Sequence, residues 1–246
     1  MVDSPFATDA VPAATVVLLR PVSDNDAVPV PPGHAASGRG FEALMLRRNS
    51  ALAFAGGAWV FPGGRVDEGD MDPGDPRNAL TAARNAAARE AREEAGLTLD
   101  PEEFVVLSRW CPPPHAPRRF DTWFFVARAP LGEVTIDGGE IHDHVWITPA
   151  QAMARRRAGE VEMIPPTWVT LLTLSRFMGV DQALDAVAAG QPDHFVTRMV
   201  EHPDGRRVLL WDGDSGHLSG ELDTPGPRHR LWLEDPDWRY ERHPTP

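Results

Sequence analysis

Three glutamates, Glu90, Glu93 and Glu94, have the side-chain type and spacing to bind a metal ion. Their i, i+3 and i+4 positions place them on one face if the segment is helical. Three carboxylates on one face repel each other unless a cation lies between them, and carboxylate oxygens suit Mg²⁺ and Mn²⁺. Arg89, four residues before Glu93, could pair with it and hold it in place. The spacing alone is equally typical of a solvated, charged helix face.

The segment that carries these glutamates is predicted to be one helix. Residues 79–95 are rich in alanine, the strongest helix former, and include no glycine or proline. Asn78 is the expected N-cap, and Gly96 is expected to end the helix in a left-handed conformation. Small residues on another flank would let the helix lie close to a sheet. These are Ala88, Ala91 and Ala95.

A glycine pair upstream favours a metal site over a solvated, charged helix face. Gly63 and Gly64 follow a Val-Phe-Pro stretch and predict a tight turn where the backbone comes close to a ligand. Together with the helix, this segment resembles the Nudix box, whose second half, Arg-Glu-x-x-Glu-Glu-x-Gly-aliphatic, matches residues 89–97 at every fixed position. The first half departs from the family. Asp70 stands where the family has Glu, and eighteen residues (71–88) separate it from the helix motif instead of seven. The turn-rich part, 71–78, is interpreted as an inserted loop.

The order of predicted elements indicates an α+β protein, and the resemblance implies a Nudix α/β/α sandwich with a mixed sheet. Residues 1–160 are expected to form the Nudix domain, and residues 161–246 a C-terminal extension of helices and a β-hairpin packed on it. Strands are predicted at 14–20, 41–47, 59–61, 104–110 and 118–127, with a short edge piece at 133–136 and a turn leading into a strand over 138–147. Helices are predicted at 149–157, 166–178 and 181–189. The hairpin is predicted from 195–200 and 207–211, with a last strand at 229–233.

The resemblance also implies an activity. Nudix enzymes use divalent metal ions to cleave a nucleoside diphosphate linked to another group. By this resemblance the chain is an enzyme that uses Mg²⁺ or Mn²⁺, with Glu90, Glu93 and Glu94 as metal ligands and the Gly63 carbonyl as a further one. Glu93 and Glu94 are also candidate catalytic residues, and Arg89 would orient the glutamates.

Further candidates lie outside the box. Glu140, before a tryptophan-containing strand, occupies a region where many relatives place an acidic ligand or base, although a solvated turn carboxylate explains it equally well. Arg118, Arg119 and Arg48 could bind diphosphate oxygens, since arginine binds phosphate through two hydrogen bonds. A solvated arginine pair is an equally ordinary explanation of the first two.

Wider features resemble a branch that includes peroxisomal coenzyme A diphosphatases. The resemblance rests on residues 44–48, 57–64, 119–122 and 165–167 and on the long insertion. Ala53 and Ala55 stand where the coenzyme A signature of other members has arginine and often histidine. Coenzyme A or an acyl derivative is the first expected substrate, and ADP-ribose, a dinucleotide or a nucleotide sugar are rivals. A noncatalytic nucleotide-binding regulator is the alternative from another class.

Composition limits the partners. The 36 acidic and 24 basic residues give a net charge of −12, which disfavours nonspecific binding to nucleic acids or membranes. The single Cys111 allows no internal disulfide and fits a reducing compartment. No apolar run approaches the roughly 18 residues of a membrane span. We therefore expect a cytoplasmic protein with a small-molecule nucleoside diphosphate substrate and, as in many relatives, a homodimer.

Overall fold

The computed structural model describes residues 10–22, 40–51, 55–75, 78–116 and 118–243. In this part of the chain, an eight-stranded mixed sheet and a four-stranded antiparallel sheet are accompanied by four α-helices. The first sheet contains β1 Val11–Pro21, β2 Phe41–Arg48, β3 Trp59–Val60, β4 Gly63–Arg65, β5 Val105–Cys111, β6 Phe120–Arg128, β7 Ile141–Ile147 and β8 Asp193–Val196. The second contains β9 Arg198–Glu201, β10 Arg207–Leu210, β11 His229–Leu233 and β12 Arg239–Arg242. The helices are α1 Ala79–Ala95, α2 Pro149–Arg157, α3 Pro165–Leu174 and α4 Val180–Ala189.

The first sheet has β1 near its centre. The strand order is β3-β2-β1-β6-β5-β8, with β4 also paired to β1 and β7 to β2. The pairs β1–β6 and β5–β8 are parallel, and the other pairs are antiparallel. The predicted mixed sheet is confirmed.

Alternate residues of β1 face two different helical layers. Val16 and Leu18 pack with the alanines of α1, including Ala87 and Ala91. Val17 and Leu19 face the opposite side and belong to the cluster that contains α3 and α4 residues. Because both faces of the sheet are covered by helices, the fold is the α/β/α sandwich that the sequence predicted.

The helix α1 has the predicted bounds and caps. The Asn78 side chain accepts a hydrogen bond from the amide of Thr81 (3.1 Å). Gly96 has a φ of 70°, in the left-handed region that a Cβ disfavours. The buried flank consists almost entirely of alanine, so the helix axis can approach the sheet closely.

Several predicted elements were wrong in detail. The helix predicted at 166–178 ends at Leu174. Residues 133–136 form no strand; instead the amide of Thr135 bonds to the carbonyl of Ala95 and ties this segment to the end of α1. The predicted hairpin strand 195–200 is divided between β8, which pairs with β5, and β9, which pairs with β10. β12 follows the strand predicted to be last.

Part of the predicted extension completes the sandwich. The helices α3 and α4 supply buried side chains to its second layer, including Leu171 and Ala183. Phe195 of β8 stacks on Trp110 of β5, with ring centroids 3.8 Å apart, and Trp211 meets Trp110 edge-on. The division of the chain at residue 160 into a Nudix domain and a C-terminal extension stays a prediction. Among the described residues, no helix is both long and apolar enough to cross a bilayer.

Candidate functional site

The centre of the candidate site is Glu94, where α1 meets β4. Its carboxylate is buried, with the residue only 5% exposed, and Oε2 accepts a hydrogen bond from the amide of Gly63 (3.0 Å). Burial penalises the charged form and raises the Glu94 pKa to about 8, against the opposing effect of the Gly63 amide. The negative charge of Glu90 raises it further. Burial and the neighbouring Glu90 therefore both disfavour the charged form of this carboxylate.

The glycine pair allows α1 and β1 to approach β4 closely. A Cβ on Gly63 would lie 2.4 Å from the carbonyl oxygen of Ala14, and one on Gly64 would lie 2.2 Å from Glu90 Oε1. Both glycines lie in strand β4, paired with β1, so the prediction of a tight turn was wrong. Glycine is required here because there is no room for a Cβ beside the Glu90 carboxylate or beside the backbone of β1.

Arg89 is the hub of an ion-pair cluster. It donates to both carboxylate oxygens of Asp70 (3.0 and 3.1 Å), to Glu90 Oε1 (2.9 Å) and to Glu93 Oε2 (3.0 Å). A further bond goes to the carbonyl of Arg65 (2.9 Å). The hydrogen bonds to Asp70 outweigh burial and, with the charge of Glu90, hold the Arg89 pKa above its ordinary value.

Asp70 is the site residue that the sequence reasoning missed. It is 4% exposed, and its carbonyl accepts a hydrogen bond from the Asn85 side chain (2.9 Å). The available signal was its position, since Asp70 occupies the place of the first glutamate of the Nudix box. Asp70 and Arg89 are therefore paired, although more residues separate them in this sequence than in the family motif.

Glu90, Glu140 and Arg48 complete the group around Glu94. Burial raises the Glu90 pKa; Arg89 opposes this effect, and the charges of Glu93 and Glu140 add to it. Arg48 Nη2 lies 3.5 Å from Glu140 Oε2, and the Glu140 side chain is 62% exposed. Because β2 ends and β7 begins at this edge of the sheet, Arg48 and Glu140 come within electrostatic reach of the buried glutamates.

The other two candidate arginines lie at the start of β6. Arg118 is exposed. Arg119 Nη2 lies 3.7 Å from Cys111 Sγ, and the Arg119 carbonyl accepts a hydrogen bond from the amide of Val11 (2.8 Å). Along β1, Val11 is four residues from Thr15, which pairs with Gly63 beside the acidic group. A role for Arg118 and Arg119 in binding substrate stays a prediction.

The donor set of this site suits a hard divalent cation. Six carboxylates, those of Asp67, Asp70, Glu90, Glu93, Glu94 and Glu140, lie around the two guanidiniums of Arg48 and Arg89. The pKa values of Glu90 and Glu94 are raised first by burial and then by the negative charges of neighbouring glutamates. In the described part of the chain no three His, Cys, Asp or Glu side chains are already gathered as a metal centre. Arg89 holds Glu90 and Glu93 in its own ion pairs, so the carboxylates would turn from Arg89 to bind an ion.

An open cleft of about 550 Å³ lies beside the same end of β2. Arg47 lines the cleft, and the next residue, Arg48, contacts Glu140. Trp59 and Arg155 are also among the lining residues. The volume is in the usual range of roughly 300–1,000 Å³ for small-molecule sites.

Comparison with known proteins identifies the family. The NUDIX domain matches residues 34–166, which is more than half of the chain. The chain therefore belongs to the Nudix family.

Individual relatives resemble the chain only distantly. "Putative nudix hydrolase 7" of Caenorhabditis elegans is 26% identical over 170 residues, which are 54% of this chain and 55% of that protein. The chain thus spans about half the length of this curated relative. A NUDIX hydrolase crystal structure from Alicyclobacillus acidocaldarius superposes with a TM-score of 0.59 at 23% identity, covering 75% of this chain and 99% of that one. This second similarity supports the fold.

Proposed function

We propose that this protein is a metal-dependent hydrolase that cleaves the diphosphate linkage of a nucleoside diphosphate derivative. The observation that carries the proposal is the buried Glu94 carboxylate, held by the Gly63 amide beside Glu90 in a group with excess negative charge. A purely structural cluster gains nothing from keeping carboxylates buried and uncompensated. A site that binds a divalent cation and a phosphate needs such an excess.

Glu90, Glu93 and Glu94 are proposed to hold the cation, with the Gly63 carbonyl as a further candidate. Nudix hydrolases generally use divalent metal ions, and Mg²⁺ or Mn²⁺ fits an all-oxygen donor set. The bound ion would supply neutralisation of phosphoryl charge and make water more acidic. Arg89 is proposed to fix the glutamate side chains through the contacts described above.

Glu140 is proposed as the proton acceptor. Its carboxylate is mostly exposed, so water and substrate can reach it, and it lies near enough to affect Glu90 and Glu94. The oxygen of a water attacks phosphorus, its proton passes to Glu140, and the bond to the bridging oxygen breaks. The leaving phosphate keeps the electron pair. Arg48, together with Arg118 and Arg119, is proposed to contact the phosphate oxygens of the substrate.

The substrate proposed for the first test is coenzyme A or an acyl-coenzyme A. ADP-ribose, a dinucleotide and a nucleotide sugar are the alternatives within the same reaction class. The NUDIX domain of Shewanella oneidensis NrtR has been crystallised with ADP ribose, but its TM-score of 0.46 at 14% identity carries no weight for this chain. The cleft lined by Arg47, Trp59 and Arg155 offers room for the group attached to the diphosphate.

The test is a product screen with Mg²⁺ or Mn²⁺ over coenzyme A, acetyl-coenzyme A, ADP-ribose, NADH and nucleotide sugars. The Glu93→Gln and Glu94→Gln variants are expected to lose about 100-fold or more in turnover, since they lose carboxylates assigned to the reaction. Glu102→Gln is the matched control, because Glu102 is exposed and paired only with Arg84 at 3.9 Å. Ligand binding by the wild type without any turnover would instead favour the noncatalytic regulator.

The remaining parts of the proposal rest on composition and resemblance. A cytoplasmic location and a homodimer are proposed on these grounds. Light scattering during size-exclusion chromatography would give the mass in solution and decide between monomer and dimer.

A further inference from the structure

Glu140 lies on a turn that would be mobile without support. The turn joins Asp137 to the start of β7, and Gly138 within it has a φ of 72°, in the left-handed region. The Glu140 side chain is exposed, and its carboxylate lies 3.5 Å from the Arg48 guanidinium. Packing therefore does little to fix this carboxylate, and its position depends on how firmly its backbone is held.

The Asp137 side chain holds this backbone from one side. Oδ2 accepts hydrogen bonds from the amides of Gly139 (3.1 Å) and Glu140 (2.8 Å), and Oδ1 accepts one from Ile141 (2.9 Å). Burial raises the Asp137 pKa, but the hydrogen bonds from these amides outweigh burial and hold the pKa below its ordinary value. One carboxylate thus binds three consecutive amides centred on Glu140.

Asn49 holds the same backbone from the other side. Its amide donates to the carbonyl of Glu140 (2.7 Å), and its side chain donates to the carbonyl of Gly139 (3.1 Å). Asn49 directly follows β2 and Arg48, so the turn is attached to the strand that carries the arginine partner of Glu140. Both the amide and the carbonyl of Glu140 are therefore fixed by neighbouring elements.

We propose that Asp137 and Asn49 are positioning residues that hold Glu140 where it can accept the proton of the attacking water. This inference rests on the proposed function. A general base must lie within hydrogen-bond reach of the proton that it removes, and a displacement of about 1 Å can reduce turnover roughly 100-fold. Asp137 and Asn49 act through the Glu140 backbone and do not contact the reacting atoms.

The first experiment compares Asp137→Asn with Asp100→Asn. The asparagine keeps the size of the aspartate but has one oxygen, so its amide group would face a backbone N–H. Asp137→Asn is expected to lower kcat by about 10- to 100-fold while KM changes less than about threefold. Asp100 is a matched control, because its side chain accepts a hydrogen bond from the Glu102 amide (3.0 Å) in a similar turn elsewhere. Equal effects of the two variants on kcat would overturn the proposal.

A double-mutant cycle separates positioning from general stability. If Asp137 acts through Glu140, then Asp137→Asn lowers kcat in the wild type but causes no further loss in a Glu140→Gln background. A full additional loss in that background would contradict the positioning role. Asn49→Ala, which keeps the backbone bond and removes the side-chain bond to Gly139, is expected to show a smaller loss of the same kind.

Amide hydrogen exchange tests the positioning contacts without any substrate. In Asp137→Asn, the amides of Gly139, Glu140 and Ile141 are expected to exchange faster, while those of β5 keep their protection. Unchanged protection at the three amides would overturn the inference even if the enzyme is active. Conversely, a wild type that turns over no substrate would refute the proposed function, and the exchange data would still decide whether Asp137 holds Glu140.

Discussion

Arg230 in the second sheet and Arg89 in the candidate site are both held by carboxylates, but only the first is balanced in charge. Arg230 donates twice to Asp214 (2.7 Å each), and both side chains are almost fully buried. The remaining capacity of Asp214 is filled by the amides of Gly216 and His229 (2.8 and 2.9 Å). Arg230 and Asp214 therefore neutralise each other, and both oxygens of the buried carboxylate accept two hydrogen bonds each.

Arg89 instead faces four carboxylates, those of Asp67, Asp70, Glu90 and Glu93, and a fifth, that of Glu94, is buried beside them. The contrast appears in the titration of two similarly buried groups. Arg230 and the backbone amides overcome burial and lower the Asp214 pKa, whereas the Glu94 pKa is raised to about 8. Burial alone does not decide the charge of a carboxylate; its partners do. A surplus of buried acid therefore distinguishes a site that binds a ligand from an ion pair that stabilises the fold.

Asp214→Asn should produce the largest loss of stability, because it leaves the Arg230 charge buried without a counterion. We expect a decrease of about 3–5 kcal/mol in the free energy of unfolding, measured by urea denaturation. Turnover per folded molecule should be unchanged, since Asp214 lies in the loop between β10 and β11 and its side chain bonds to Arg230 of the second sheet. A loss below about 1 kcal/mol would show that the pair is not the balanced, stabilising contact described here.

The metal-free wild type should lose stability as the pH rises. The folded-state pKa of Glu94 is about 8, above its ordinary value of 4.5, so the folded state holds this proton more tightly. The resulting stability is present below about pH 4.5 and is lost as the pH rises towards 8, by on the order of a few kcal/mol. Urea denaturation at several pH values in a chelator measures this slope.

Glu94→Gln provides the control for this pH dependence, because glutamine does not titrate and its unfolding free energy should vary less over the same range. Added Mg²⁺ should stabilise the wild type more at pH 8 than at pH 5, since ligand binding requires the ionised carboxylate. The same slope in the wild type and in Glu94→Gln would assign the effect to other groups.

Asp70→Asn should lower both the stability of the protein and its affinity for metal ions, each by a smaller amount. It weakens the hydrogen bonds that hold Arg89, so we expect a loss of about 1–3 kcal/mol in unfolding free energy. Metal affinity should fall by about 10-fold, because a misplaced Arg89 no longer orients Glu90 and Glu93. Isothermal titration with Mn²⁺ measures the affinity. A stability loss with unchanged affinity would limit Asp70 to anchoring the inserted loop.

Local sequence was sufficient to predict α1 and most strands. The alanine run and the flanking Asn78 and Gly96 determine the helix through local contacts. Apolar residues in a row in β1 are typical of a strand that is buried on both faces. The position of β8 could not be predicted in this way. Its parallel partner β5 lies about eighty residues earlier, whereas the neighbouring strand β10 offered a local partner at hairpin distance.

The candidate site was predictable where the motif is continuous and obscured where it is interrupted. The helix motif named Glu90, Glu93 and Glu94 directly, but the inserted loop hid the relation between Asp70 and Arg89. The support of Glu140 by Asn49 and Asp137 joins residues from distant parts of the chain. No sequence period marks such a contact, since it depends on the ends of β2 and β7 meeting in three dimensions.

Because β1 lies near the centre of the first sheet, we expect that residues 34–166, which the NUDIX domain matches, do not fold alone. The matched segment, residues 34–166, begins after β1 has ended and stops at the first turn of α3. A fragment cut at those bounds would lack the strand between β2 and β6, most of α3 and all of α4, which cover part of one face of the sheet. Such a fragment would expose the apolar side chains of two layers and should aggregate when expressed alone. We therefore expect the shortest segment that folds alone to be longer than the range that the NUDIX domain matches.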